Sequence, residues 1–271
     1  KTESAFGFEL AYTDLRKSSA IEQELNQLIS SDHSKAFDLA DGPLLRASLF
    51  QTDNETWVFS YVMHHIISDG WSMGILVSEL MRLYNSYTLG LANPLTPLKL
   101  QYKDYAAWQQ EELKGDKLNK HKTYWTKQFE GNLPVLNLPT DFNRPLIKTY
   151  NGALVYKKID RRVSQAIKMF SQEQGGTLFM GLLAAVNTLL FRYSNQEDVI
   201  LGSPIAGREH VDLQAQIGFY VNTLALRCQF DKKESFKELF TQVKDVTLDA
   251  YEHQVYPFDE LLEGLNVKRD M

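Results

Sequence analysis

The stretch Met63-His64-His65-Ile66-Ile67-Ser68-Asp69-Gly70-Trp71-Ser72 decides how this chain folds. Before it runs an apolar series, Trp57, Val58, Phe59, Tyr61 and Val62, whose aromatic and β-branched content predicts a buried strand. After it come Ile75, Leu76, Leu80, Leu83, Tyr84 and Tyr87 at helical spacing, predicting an amphipathic helix. Two imidazoles, a carboxylate and a glycine are thereby placed at one strand-to-helix corner.

Four chemistries fit those residue types. Two histidines and an aspartate can form a metal-binding facial triad. Adjacent strand residues point to opposite faces, however, which keeps His64 and His65 from sharing an ion while the strand stays regular. Gly70-Trp71-Ser72-Met73-Gly74 matches the Gly-x-Ser-x-Gly nucleophile elbow, with Asp249 and His253 in hydrolase chain order. No glycine-rich oxyanion loop precedes it. A third reading makes one histidine a general base or substrate-positioning group. Asp69 then orders that histidine, or pairs with a distant arginine to brace the loop, and the Gly70 N–H at the helix start faces a developing oxyanion. In the fourth reading both histidines are hydrogen-bonded core residues and Asp69 is a helix cap.

Either side of the corner the chain alternates strand and helix. Residues 6–11 and 44–50 read as strands. Ser19 with Glu22 reads as a capping box for a helix carrying Ile21, Leu25, Leu28 and Ile29. Residues 102–129 read as a long helical stretch with Tyr105, Trp108, Leu113, Tyr124 and Trp125 turned inward. Pro134, Pro139 and Pro145 mark 131–145 as a linker. Beyond it the alternation restarts. A strand is predicted at 153–159, a helix at 163–173 and a buried helix at 178–193. A strand at 198–201 ends at Gly202-Ser203-Pro204, and a further one lies within 217–230 around a polar Asn222-Thr223 centre. Ser235 with Glu238 caps a helix, and Pro257 takes the first position of another. This is a mixed α/β fold in two lobes, 1–130 and 131–271.

Composition narrows the partners. The chain has 271 residues, 44% hydrophobic and 23% charged, which suits a globular protein. A net charge of −5 offers no broad basic surface for nucleic acid. No apolar run reaches membrane-spanning length. The single cysteine, Cys228, precludes an internal disulfide framework and suits a reducing cytoplasm.

His64-His65-x-x-x-Asp69-Gly70, continued by Trp71-Ser72, resembles the active-site motif of nonribosomal peptide synthetase condensation domains. The likeness extends in order along the chain. It takes in Phe37-Asp38-Leu39, Gly42-Pro43-Leu44-Leu45-Arg46, Tyr102-x-Asp104-Tyr105-Ala106-x-Trp108, and Gly202-Ser203-Pro204-Ile205-Ala206-Gly207-Arg208. Ile217-Gly218-Phe219-Tyr220-Val221-Asn222-Thr223-Leu224-x-x-Arg227 and His253-Gln254-x-Tyr256-Pro257-Phe258-Asp259 complete it. The family's first two motifs precede Lys1, and Arg269-Asp270 opens its last. The resemblance therefore implies a central segment of the domain, each lobe incomplete at its outer end, with any arginine the preceding part supplies to Asp69 missing.

The resemblance implies two chloramphenicol-acetyltransferase-like lobes in a V, with the site in a tunnel between them. It implies amide-bond formation between a donor thioester and an acceptor amine. Both reach the site on phosphopantetheine arms of donor and acceptor peptidyl carrier proteins, with an adenylation domain in the same polypeptide and no permanently bound cofactor. His65 becomes the key residue, positioning the amine or taking its proton. Asp69 is mainly structural, and His64 and Gly70 complete the catalytic corner. Trp71, Ser72, Ser203, Asn222 and Thr223 line the substrate path, while Tyr102, Asp104, Trp108, Gly218, Arg227 and Pro257 brace the motifs. Epimerisation of a carrier-tethered residue uses the same histidine motif, and a non-catalytic carrier-docking lobe is a further alternative.

Overall fold

The computed structural model describes residues 7–265 apart from 144, 146, 148 and 150. The first sheet is built from β1 (Leu10–Asp14), β2 (Leu45–Gln51) and β3 (Trp57–Met63), in that order. β1 and β2 are parallel, Leu10 opposite Ala47 and Asp14 opposite Gln51, so the chain between them must cross over. Helix α1 (Ile21–Ser34) makes that crossover. β2 and β3 form an antiparallel hairpin, Leu45 opposite Met63, closed by the Thr52 N–H donating to the Thr56 carbonyl at 3.0 Å. The ladder runs one bond further, from the His64 N–H to the Leu44 carbonyl at 2.9 Å. His64 is thus tied to the sheet and His65 is free of it. A single 3-10 turn, His65–Ile67, leads into α2 (Gly70–Thr88).

Two local expectations shift here. β1 starts at Leu10 and runs to Asp14, beyond the predicted 6–11; Phe6 lies outside the described residues. Ser19 does not cap α1: Ala20 is its N-cap residue and offers no side-chain bond. Instead the Ser18 hydroxyl accepts the Ala20 N–H at 3.1 Å, closing the turn earlier. On α2 the spacing holds, but Leu80, Tyr84 and Tyr87 are exposed.

The chain groups into two units. Residues up to Tyr105 join with Arg208–Tyr220, and Ala106–Gly207 join with the residues from Val221 onward. The division falls inside α3 (Tyr102–Glu112) rather than at the proline-rich 131–145. A boundary read from linker composition has no means of detecting the return of 208–220, which is fixed by tertiary contacts. The long stretch expected over 102–129 is two helices, since α4 (Gly115–Gln128) restarts at Gly115, whose φ of +63° breaks the helical path. Tyr105 and Trp125 are buried as expected, but Trp108 is 52% exposed.

The second unit holds the larger core. α5 (Arg161–Glu173), α6 (Leu178–Ser194), α7 (Phe236–Glu252) and α8 (Phe258–Gly264) accompany a hairpin of β4 (Asp198–Ile205) and β5 (Asn222–Gln229). Trp125, Phe129, Met180, Leu224, Leu226 and Phe240 lie at the centre. The Ser235–Glu238 capping box starts α7 as the sequence predicts. Cys228 is buried, and burial pushes its thiol up to about 11. Arg227 binds Asp198 through Nε and Nη2 and donates to the carbonyls of Gln128, Glu130 and Asn132. It thereby fastens the end of α4 to the hairpin.

Five predictions fail in this unit. Residues 153–159 form no strand. Leu154, Val155 and Tyr156 are at least 79% exposed, and no ladder among the described residues supplies the partners a strand needs. α6 is not buried all round: Met180, Leu183, Ala184 and Asn187 face inward while Leu182, Val186, Leu189 and Tyr193 are exposed. β4 continues through Gly202-Ser203-Pro204 instead of ending there. β5 begins at Asn222, so Asn222-Thr223 open the strand rather than lie at its centre. Pro257 is the N-cap residue of α8, one position before its first turn. The phrase Arg269-Asp270 lies outside the described residues.

Candidate functional site

Asp69 is the pivot of the corner. As N-cap residue of α2 it accepts the Ser72 N–H at 2.8 Å, satisfying one of the helix's orphan donors. The side chain is also 0% exposed, so its charge requires more than a cap. Arg208 meets that need, placing Nη2 3.1 and 3.2 Å from the two carboxylate oxygens. The Tyr220 N–H donates to Oδ2 at 3.1 Å. Ser72 Oγ lies 2.7 Å from Oδ1 and 2.9 Å from the Gly218 carbonyl, with one hydrogen to share between them. Burial by itself raises the Asp69 carboxyl. The Ser72 and Tyr220 hydrogen bonds, with the Arg208 charge, outweigh it and hold the group ionised below the usual carboxylate range.

Arg208 extends the network. Nη1 donates to the carbonyls of Leu213 (2.6 Å) and Gln216 (2.7 Å), and the guanidinium lies over the Tyr220 ring at 4.0 Å. One arginine therefore folds the 208–220 segment around itself and docks it on the cap of α2. Gly207, with φ +62°, turns the chain into that segment after β4. Gly218 is required by close approach: a Cβ there lies 2.5 Å from Tyr102 Cδ2 and 2.8 Å from Tyr220 Cε2. Tyr102 in turn donates its hydroxyl to the Phe219 carbonyl at 2.8 Å. Asp104 accepts the Gln101 N–H at 2.8 Å, capping α3. The Trp71 indole N–H reaches the Gln214 carbonyl at 2.9 Å.

The two histidines take different places. His64 Nδ1 accepts the Ile66 N–H at 3.1 Å, and its ring meets Phe37 edge-on at 5.9 Å between centroids. That bond gives His64 a structural part in its own turn. His65 is exposed, and its ring meets Phe219 edge-on at 5.4 Å. The two rings meet different partners, and the strand parity expected to separate them does not apply, because β3 ends at Met63 and a 3-10 turn starts at His65. Gly70 is the first residue of α2 and exposed, with open space where a Cβ would stand.

Within one unit the structure joins His64, His65, Asp69, Gly70, Trp71, Ser72, Tyr102, Asp104 and Gly218 of the predicted set. Ser203, Thr223, Asn222, Arg227, Pro257 and Trp108 belong to the other unit. Asn222 donates to the Gln254 and Tyr256 carbonyls at 2.8 and 2.7 Å and accepts the Phe258 N–H at 3.1 Å, so its amide is committed to the turn before α8. Two roles fall to Ser72 by sequence, lining the substrate path and acting as a hydrolase nucleophile. Its hydroxyl is enclosed, 0% exposed, among Asp69, Arg208 and Gly218, with no histidine in that set. Neither role fits an oxygen that a substrate cannot reach. Sequence reasoning misses Arg208, Phe219 and Tyr220 as partners. The arginine expected from a preceding segment is supplied by this chain itself. The available signal is a carboxylate at a buried corner, which demands a cation, and Arg208 closes one of the family-like motifs.

The condensation domain family model matches residues 2–271. Bacitracin synthase 1 of Bacillus licheniformis is 40% identical over 99% of this chain, and the chain spans 5% of that protein's length. The solved X-domain from teicoplanin biosynthesis superposes with a TM-score of 0.83 at 25% identity, over 96% of this chain and 57% of that one. The first condensation domain of the calcium-dependent antibiotic synthetase, in complex with a substrate analogue, gives 0.72 at 20% identity over 97% of this chain and 59% of that one. These likenesses carry the chloramphenicol-acetyltransferase-like α/β fold that the sequence implied. With a family model covering nearly every residue and the histidine corner built as described, this chain belongs to the condensation domain family of nonribosomal peptide synthetases.

Proposed function

We propose that this chain forms an amide bond between two carrier-tethered reactants, with His65 as the group that meets the acceptor amine. The observation that carries this reading is the contrast at the corner. Asp69 is fully buried and fully partnered, His64 is half-buried with Nδ1 bonded within its own turn, and His65 is the exposed residue of the three. The amine nitrogen attacks the donor thioester carbonyl; a C–N bond forms and the C–S bond breaks. The amine's proton passes to His65 and on to the departing thiolate. The Gly70 N–H, first in α2, is assigned to the carbonyl oxygen as negative charge gathers there. Asp69 and Arg208 fix the turn that carries His65 and take no part in proton transfer.

Donor and acceptor peptidyl carrier proteins bring the reactants on phosphopantetheine arms, and an adenylation domain in the same cytoplasmic polypeptide loads them. Tethering both reactants makes proximity a large share of the rate. Trp71, beside the corner, is assigned to the substrates' path. The chain spans only a small part of its curated relatives, and those partners rest on the family likeness. Among the described residues no single helix is long and apolar enough to cross a membrane.

The test uses the full-length polypeptide with one aminoacyl-loaded donor carrier and one loaded acceptor carrier. Intact-mass measurement of the acceptor is expected to show a dipeptidyl species. Exchange of the α-proton in deuterated water without a mass gain indicates epimerisation instead. Carrier binding with neither signal leaves a docking module.

A further inference from the structure

We infer that Phe219 is a positioning residue for His65. This rests on the proposed role of His65. Residues 218–220 are pinned on both sides of Phe219. The Gly218 N–H donates to Ser72 Oγ at 3.1 Å, and the Gly218 carbonyl accepts from Arg208 Nη2 at 3.3 Å. The Phe219 carbonyl accepts from Tyr102, and the Tyr220 N–H donates to Asp69. These backbone anchors come from the same Asp69–Ser72–Arg208 network that caps α2. Between the buried Gly218 and Tyr220, the Phe219 side chain turns outward and stays 38% exposed. A large apolar ring held at the surface on a fully anchored backbone is not core filling. What it meets is the His65 ring, edge-on at 5.4 Å.

The arrangement gives Phe219 a task. His64 has its ring orientation set by the Ile66 N–H and Phe37. His65, exposed at the start of a 3-10 turn, has the Phe219 ring on its flank instead. An edge-on aromatic contact biases the imidazole between rotamers by roughly 3- to 10-fold. It aims the ring without consuming either nitrogen, as a hydrogen bond would. The buried network thus reaches His65 through one aromatic ring, and no charged group has to touch it.

The test measures Phe219→Ala, Phe219→Leu and Phe219→Tyr in the full-length polypeptide, beside wild type and His65→Ala. Phe219→Ala is expected to lower kcat about 3- to 10-fold while the KM for each carrier stays within about twofold, which is the split expected of lost orientation. Phe219→Tyr restores kcat. In NMR spectra the ring-current displacement of the His65 imidazole signals disappears in Phe219→Ala and in Phe219→Leu, and persists in Phe219→Tyr. Phe219→Leu keeps apolar bulk, so an unchanged unfolding midpoint with lost displacement separates positioning from folding. Wild-type kcat in Phe219→Ala, with His65→Ala inactive, overturns the inference and leaves the role of His65 standing. Unchanged imidazole signals in both variants overturn it at the level of the contact itself. Full activity in His65→Ala overturns the proposed chemistry, and with it any catalytic meaning of the contact.

Discussion

Removing Arg208 is expected to loosen the corner that carries His65, and the size of the effect follows from its partners. Arg208→Met leaves a carboxylate with 0% exposure facing no cation and strips the Leu213 and Gln216 carbonyls of their charged donor. Breaking a buried pair from one side costs about 3–5 kcal/mol. Two features reduce that figure. Asp69 keeps the donors Ser72 and Tyr220, and Arg208 Nε is buried with no hydrogen-bond partner among the described residues, a burden of about 1–3 kcal/mol that the methionine removes. The net loss is therefore about 1–3 kcal/mol, a sizeable part of an ordinary domain's stability. Asp69→Asn keeps the cap of α2 but strands Arg208, costing about 3–5 kcal/mol. Since both single variants carry the cost of one orphaned charge, the double variant should lose less than their sum, by about 1–3 kcal/mol. Urea unfolding of the four proteins at pH 7, with equal m-values, reads this directly. A loss below about 1 kcal/mol in Arg208→Met, or additivity within about 0.5 kcal/mol, refutes the bracing argument.

Two further outcomes follow from the packing. His121 and His253 bring their Nδ1 atoms to 2.9 Å, Tyr124 stacks on His253, and Lys120, Glu112, Asp249 and Glu252 are the charges around them. Burial, then the neighbouring imidazole and Lys120, hold His253 below its ordinary value, and burial with Lys120 does the same for His121. The unfolded chain binds protons here more readily than the folded one, so this contribution is complete above about pH 6.5 and is lost as pH falls below it. A melting midpoint that drops between pH 7 and 5, with a shallower slope in His121→Gln, is the expected result. Gly218→Ala forces a Cβ against the rings of Tyr102 and Tyr220 and should cost about 1–3 kcal/mol in the same urea assay.

The sequence carried the local parts of this structure and lost the distant ones. Strand β3, the corner and α2 are legible because an aromatic and β-branched run, a capping Asp69 and helical spacing all lie within about one helix length, but β3 is not the buried strand expected, since Trp57 and Phe59 are exposed. Arg208 closes a recognisable motif yet has no visible partner in the sequence, since 139 positions separate it from Asp69 and only the tertiary fold brings them together. Residues 153–159 have strand-like side chains but no ladder, which shows β-propensity following context more than composition. α6 is so apolar that burial on all sides looked compulsory, yet its Leu182 and Leu189 face remains uncovered among the described residues. Of the candidate site, the histidine motif marks one corner, and the structure divides its residues: His64 to the turn, Asp69 to the brace, His65 to the surface.

The measurement that tests the central claim most directly is single-turnover dipeptide formation by wild type and His65→Ala, with urea unfolding of both. Because His65 is exposed and outside the buried network, its loss should leave stability within about 0.5 kcal/mol. Dipeptide formation should fall at least about 100-fold, as expected for removing a group that handles the reacting proton. A stable His65→Ala protein that condenses at the wild-type rate contradicts the account.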